Sequence, residues 1–399
     1  FIGALGAAAF ATGYGGIDMA FADTQTGGNG NSSRGLLLAP TPKKLSMGDG
    51  SFDTTGKLYT KIEAGNPQSL MAAARQAGLE WEITASPKAP KDKTGLIIQL
   101  EDSRDIPAEG YKLAIRPSVI EITASTPAGA FYGACTLAQI VRQYGAALPC
   151  LTISDWPDFP NRGVMLDISR DKVPTMESLY RLVDMLASWK INQFQLYTEH
   201  TFAYLAHPTV WRDASPMTGE QIMALDAYCK SKFIELVPNQ NSFGHMERWF
   251  KFDDYRPMAE SPDGGDSAWG HISNPASLCP IDRCCVPFLA GLYDELLPHF
   301  SSKFFNVGCD EIAELGYGRS KKLCKEHGTG RVYLDFLMKI HALATQRGRT
   351  MMFWADIIIH YPELIPELPR DLIALEWGYE YDHPFTERLQ KFTSLGIPF

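Results

Sequence analysis

Phe304-Phe305-Asn306-Val307-Gly308-Cys309-Asp310-Glu311 is a strand-like run that ends in two adjacent carboxylates, where a buried strand would ordinarily end in turn residues. Two neighbouring acids hold like charges a few ångströms apart, and such a pair separates into one carboxyl pushed towards protonation and one that stays ionised. Strand residues alternate faces, so both acids serve one pocket only if the chain bends after the strand. Gly308 supplies the freedom for that bend. The plain alternative is a solvated acidic turn ahead of a helix at Ile312–Leu315, with the acids favoured by the helix N-terminus.

Working outward, this run is the fourth of six strand candidates: Gly163–Ile168, Gln193–Tyr197, Phe233–Val237, Phe304–Val307, Met351–Trp354 and Leu372–Trp377. Helical patterns separate them. Leu179, Leu182, Val183 and Leu186 share one face behind a Thr175 cap; Ile222, Leu225 and Cys229 mark a second helix. Leu289, Leu292 and Leu296 mark a third, and Val332, Phe336, Leu337 and Ile340 a fourth. Repeated βα units imply a parallel sheet, and their number favours a (β/α)8 TIM barrel over residues 156–399. Gly396-Ile397-Pro398-Phe399 reads as a seventh strand being entered, so the barrel is expected to be incomplete in this chain, its C-terminal strands missing.

Upstream, residues 41–155 read as a small α+β domain. Leu96–Leu100 is a buried-strand run, and Tyr111, Leu113, Ile115, Ile120 and Ile122 follow a period of two. A helix capped by Thr126, with Pro127 at its first position, and a closing strand at Leu151-Thr152-Ile153 complete it. Residues 1–40 read as a signal-like segment and linker. Gly3–Thr12 is apolar and small-residue-rich, Ala20-Phe21-Ala22 fits a cleavage site, and Thr24–Arg34 is rich in Gly, Asn and Ser. An exported protein (periplasmic, cell-surface or secreted) is expected.

The 399 residues are 45% hydrophobic and 21% charged, enough for two domains with substantial cores. A net charge of −9 and a pI near 5.5 argue against nucleic acid or an anionic membrane as the main partner. No apolar run reaches transmembrane length. The eight cysteines contain no CxxC pair and fit no metal pattern, so they read as small core residues.

Barrel enzymes carry their working residues at the C-terminal ends of strands. Here strand one is preceded by Arg162 and ends in Asp167 and Arg170, and strand two ends in Glu199-His200. Strand three leads to Asn239, Asn241 and Gly244-His245, and strand four to Asp310-Glu311. Strand five ends in Trp354-Ala355-Asp356 and strand six in Glu376-Trp377-Gly378-Tyr379. Polar and aromatic groups recurring at these positions suit a sugar, whose apolar face packs on flat rings while charged groups bind its hydroxyls.

From about Glu109 to Phe399 the sequence resembles glycoside hydrolase family 20, the β-N-acetylhexosaminidases. The matching pieces are Glu109-Gly110-Tyr111, Gly129-Ala130-Phe131-Tyr132-Gly133, Asp155-Trp156-Pro157, Arg162-Gly163-Val164-Met165-Leu166-Asp167, Phe243-Gly244-His245 and Gly308-Cys309-Asp310-Glu311. The resemblance implies exo-acting removal of terminal β-linked N-acetylhexosamine with retention. The substrate's own acetamido carbonyl attacks the anomeric carbon and forms an oxazolinium ion, an exception to the two-carboxylate scheme. It implies Glu311 as general acid and then base, and Asp310 as the group that orients the acetamido N–H. His245 with Glu199 behind it would tune Glu311, Arg162 would bind ring hydroxyls, and Trp354 and Trp377 would enclose the sugar. Neither metal nor cofactor is implied, and the partner is an amino-sugar-containing glycan. The sequence departs from the family pattern at Glu199, Asn241 and Phe243, and the family's later tyrosine, tryptophan and glutamate ligands would lie beyond Phe399. Two alternatives stay open: a non-catalytic carbohydrate-binding barrel, and a metal-dependent hydrolase with Asp310, Glu311 and His245 as ligands.

Overall fold

The computed structural model describes residues 35–64, 66–84 and 94–399; the signal-like stretch and the Gly/Asn/Ser-rich segment lie outside the described residues. The first layer is a seven-stranded mixed sheet built from β1 (Lys44–Asp53), β2 (Tyr59–Glu63), β3 (Glu82–Thr84), β4 (Thr94–Leu100), β5 (Tyr111–Arg116), β6 (Val119–Ala124) and β7 (Ala147–Asp155). Its order is β1-β7-β5-β6-β4-β2-β3. Pairing is antiparallel from β1 through β6 and parallel from β6 to β3. Helices α1 (Met71–Gln76) and α2 (Pro127–Tyr144) belong to this layer. The Thr126 hydroxyl accepts from the Gly129 amide and Pro127 starts α2, as its sequence predicts. Phe131, Leu137 and Ile140 of α2 are fully buried.

The second layer alternates strand and helix: β8 (Gly163–Asp167), α3 (Met176–Ser188), β9 (Gln193–Tyr197), α4 (Pro208–Trp211), α5 (Gly219–Ser231) and β10 (Glu235–Val237). It continues with α6 (Glu247–Phe250), the hairpin β11 (Gly265–Ser267) and β12 (Gly270–Ile272), α7 (Cys285–Leu296), β13 (Phe304–Asn306), α8 (Lys321–His327) and α9 (Thr329–Gln346). The last elements are β14 (Thr350–Trp354), β15 (Ile373–Leu375) and α10 (Phe385–Thr393). Strands β8, β9 and β10 are parallel neighbours, as are β13, β14 and β15. The two trios join through a parallel bridge between Asn239 and Asn306, where Gln240 donates its amide to the Asn306 carbonyl at 3.0 Å. Six parallel strands therefore follow one another in chain order, with α-helices between all but the last pair, as in a (β/α)8 barrel. The amide of Ala374 in β15 donates to Pro398 O at 2.9 Å, and a cleft of about 340 Å³ separates β8 from β15.

Two expectations change at the ends of elements. The third strand starts at Glu235 rather than Phe233, because Phe233 sits at φ 58°, in the left-handed region that no strand admits. No helix forms at Ile312–Leu315. That segment is a turn in which the buried Glu314 carboxylate accepts the amides of Ala276 and Ser277 at 2.8 and 2.6 Å.

Residues Leu38–Phe399 form one compact unit. Its two layers are fastened by ion pairs at the N-terminal end of the barrel strands. Lys190 Nζ reaches Asp155 at 2.8 Å and the Tyr111 hydroxyl at 2.9 Å, and Arg162 reaches Glu109 at 2.7 Å. Phe131 of α2 packs on Phe233 with ring centroids 5.2 Å apart. No helix among the described residues is long and apolar enough to cross a membrane.

Candidate active site

At the opposite end, the strand termini converge on a pocket of about 450 Å³, within the range of small-molecule sites. Asp167 ends β8 and Arg170 follows it, Tyr197 ends β9, and His245 lies on the loop after β10. Asp310 and Glu311 follow β13, Trp354 ends β14, and Trp377 and Tyr379 follow β15.

The bend that brings both acids into this pocket is built from left-handed backbone. Gly308, Cys309 and Glu311 have φ of 69°, 73° and 54°, so two residues with side chains share a conformation suited to glycine. A Cβ on Gly308 would lie 2.2 Å from Asn241 Oδ1, leaving no room for any other residue there. The turn is held from three directions. Tyr333 donates to the Cys309 carbonyl at 3.1 Å, Trp354 N donates to the Gly308 carbonyl at 2.9 Å, and Glu311 N donates to Asp356 Oδ2 at 3.0 Å. Gly244, beside the left-handed His245, sits so close that a Cβ would meet the Asp310 carbonyl at 2.6 Å.

His245 is the electrostatic hub. Its Nε2 is 3.2 Å from Asp310 Oδ2 and 3.6 Å from Glu311 Oε2, and its Nδ1 is 3.8 Å from Glu199 Oε1. Burial opposes the imidazolium, but the hydrogen bond and charge of Asp310, with the charges of Glu199 and Glu247, outweigh it and push the pKa up to about 9. The ring is therefore protonated at neutral pH and donates to Asp310. Burial raises the pKa of Glu311, the charge of His245 works against that rise, and the neighbouring Asp310 adds to it. One acid thus faces a cation while the other is drawn towards its protonated form. Asp310 Oδ1 is buried and has no hydrogen-bond partner among the described residues, so this carboxylate keeps an unused acceptor.

Glu199 lies behind this group, 2% exposed, accepting from Arg170 at 2.6 Å and from the Tyr197 hydroxyl at 3.1 Å. Burial raises its pKa, and the Arg170 guanidinium offsets that rise only in part. Trp249 Nε1 and Gln240 Nε2 donate to its carbonyl at 2.7 and 3.0 Å, fixing the loop that carries it. His245, Asp310 and Glu311 offer ligand atoms within 4.8 Å of one another, as do Glu199, His245 and Glu247.

Of the residues expected from sequence, Asp310, Glu311, His245, Trp354 and Trp377 line one pocket, with Glu199 buried against it. Arg162 is the correction. It precedes β8, so it emerges at the N-terminal end of the barrel, where it bonds Glu109, the Lys190 carbonyl at 2.9 Å and the Phe159 carbonyl at 2.7 Å. The arginine in the pocket is Arg170, three residues past β8. The rule that working residues follow barrel strands selects Arg170 over Arg162 and was sufficient to find it. Tyr197 was hidden as an ordinary strand aromatic. Asp356, whose pKa burial pushes up to about 7, carries no local signal for its bond to the Glu311 amide.

The sequence model of glycosyl hydrolase family 20, domain 2, matches residues 36–156, and that of the family's catalytic domain matches residues 159–396. A β-hexosaminidase of Akkermansia muciniphila is 25% identical over 315 residues, which cover 70% of this chain and 63% of that protein. A lacto-N-biosidase of Bifidobacterium bifidum is 25% identical over 374 residues, 87% of this chain and 32% of that protein. Among solved structures, the chitobiase of Flavobacterium johnsoniae superposes with a TM-score of 0.70 at 23% identity, over 86% of this chain and 55% of that one. The chain thus spans between about a third and just under two thirds of the length of these relatives. With both domain models matched in order along the sequence, it belongs to glycosyl hydrolase family 20.

Proposed function

We propose that the protein is an exo-acting β-N-acetylhexosaminidase that cleaves with retention through an oxazolinium intermediate. The observation that carries this reading is the unequal acid pair: Asp310 against the His245 imidazolium with a free buried oxygen, and Glu311 drawn towards protonation. In the first step the acetamido carbonyl oxygen bonds to the anomeric carbon, the glycosidic C–O bond breaks, and the Glu311 proton goes to the leaving oxygen. Asp310 accepts the acetamido N–H and stabilises the positive charge spreading over the new ring. In the second step the Glu311 carboxylate takes a proton from water as that water bonds to the anomeric carbon, the ring opens and the acetamide is restored. Trp354 and Trp377 wall the sugar, and Arg170 offers donors to its hydroxyls. The substrate is an amino-sugar-containing glycan.

The test is turnover of p-nitrophenyl β-N-acetylglucosaminide and its galacto epimer by the full-length protein. A thiazoline mimic of the oxazoline should inhibit competitively, and the 2-hydroxy glucoside should be nearly inert. Glucoside turnover at a comparable rate, or a trapped glycosyl ester on the enzyme, would replace substrate assistance by an enzyme nucleophile.

We also infer export, supported by the apolar Gly3–Thr12 stretch and Ala20-Phe21-Ala22. Fractionation of the native cells should find the protein outside the cytoplasm, and a purely cytoplasmic pool would sink the inference.

A further inference from the structure

Glu314 is a buried carboxylate that takes no part in the proton transfers. It is 1% exposed, and no lysine, arginine or histidine among the described residues forms an ion pair with it. Burial pushes its pKa up, and the amides of Ala276 and Ser277 oppose that rise. An acid in such a place is costly unless hydrogen bonds compensate it, so its function lies in the partners it reaches. Both belong to the short segment Ala276-Ser277-Leu278, bonded through one carboxylate oxygen at 2.8 and 2.6 Å. That segment is a splint for His245. Met246 N donates to the Ala276 carbonyl and Leu278 N to the Phe243 carbonyl, both at 2.8 Å, so the two bonds bracket Gly244-His245. The far side of the splint is closed as well. Glu260 N donates to the Ser277 carbonyl at 2.8 Å, Arg319 N to the Glu260 carbonyl at 2.9 Å, and Ser320 N to Glu260 Oε1 at 2.8 Å. Gly318 passes so near that a Cβ there would lie 2.2 Å from the Glu260 carbonyl. A ring of bonds therefore runs from Glu314 to Ser277, on to Glu260, and back along the chain from Arg319.

We propose that Glu314 is a positioning residue: three residues from Glu311, it fixes the separation between the acid turn and the loop that carries His245. The inference rests on the hexosaminidase reading, in which the 3.2 Å contact between His245 and Asp310 decides how the acid pair divides its charge. The close approach of Gly244 to the Asp310 carbonyl stops the two loops from moving nearer. The two bonds from Glu314 to the splint stop them from parting. Together the two restraints hold a catalytic distance that neither loop sets alone, and an error of about 1 Å in such a distance costs roughly 10²-fold in rate.

The test compares Glu314→Ala and Glu314→Gln with the wild type in the full-length protein, on the better of p-nitrophenyl β-N-acetylglucosaminide and its galacto epimer. Active sites are counted by calorimetric titration with the thiazoline mimic. Glutamine keeps a carbonyl oxygen for the two amides, and alanine keeps nothing. Per active site, kcat should fall about ten- to hundredfold in Glu314→Ala while KM stays within about threefold. In Glu314→Gln, kcat should return to within about threefold of the wild type. Should Glu314→Ala fail to fold, Glu314→Asp, whose carboxylate is one methylene short of the amides, takes its place with the same expectation. A smaller count of active sites, each as fast as the wild type, would make Glu314 merely structural and leave the hexosaminidase reading intact. A glutamine variant no better than the alanine or aspartate one overturns the positioning role in the same way. A wild type inert on both epimers removes the hexosaminidase reading, and the positioning role with it.

Discussion

Replacing Glu311 by glutamine is expected to lower turnover of an N-acetylhexosaminyl disaccharide by about 10²–10⁴-fold, the usual reach of a positioned general acid–base. The amide cannot give up a proton, and a sugar alkoxide leaves poorly without one. An aryl glycoside with a good leaving group needs less protonation, so its first step should lose less. Sugar affinity should change little, because the backbone of Glu311 is tied to Asp356 and not to its own side chain. Binding of the thiazoline mimic, measured by calorimetry, separates the two effects. Small and equal losses on both substrates would take Glu311 out of the acid role.

Asp310→Asn is expected to cost about 10²–10³ in kcat, in line with removal of one preorganised electrostatic partner. It should also be visible without substrate. His245 is held at about 9 against its burial mainly by the Asp310 bond and charge. A group whose pKa is raised on folding contributes stability that is complete below its ordinary value of about 6.5 and lost as pH rises through the folded value. The His245 contribution is therefore full at pH 6 and gone by pH 10. In Asp310→Asn the imidazole falls back towards neutrality, so the stability gap between variant and wild type should be wide at pH 6 and narrow at pH 10. Denaturant unfolding at the two pH values measures it. A gap independent of pH would mean that Asp310 does not hold the imidazolium.

The parts of this molecule that were legible in sequence are those decided within a few residues. Thr126 and Thr175 cap their helices because each hydroxyl needs only the amide three positions on. The βα rhythm was visible because each strand and each helix carries its own apolar period. Glycine next to the acid pair announced a bend. What could not be read was settled between distant segments. Phe233 is turned left-handed between α5 and β10, which shortens its strand. Glu314 is drawn inward by amides 37 and 38 residues away, and that cancels the helix expected at 312–315. The choice of arginine was a different failure. Arg162 and Arg170 flank the same strand, and the strand's direction separates them: one clamps the first layer, the other reaches Glu199. His245 was expected to tune Glu311, but its shorter contact is to Asp310.

The left-handed turn at Gly308–Glu311 has a consequence for anyone who would graft it. The four letters Gly308-Cys309-Asp310-Glu311 do not encode their own shape, since three of them occupy backbone angles that isolated residues with side chains avoid. The shape is lent by Asn241 beneath Gly308, Tyr333 at the Cys309 carbonyl and Asp356 at the Glu311 amide, from three other stretches of chain. Transplanted onto a scaffold without those supports, the same tetrapeptide would relax to an ordinary acidic loop with its carboxylates in water. The portable module is the tetrapeptide with its cradle, and a search for new members of this chemistry would do better to look for both.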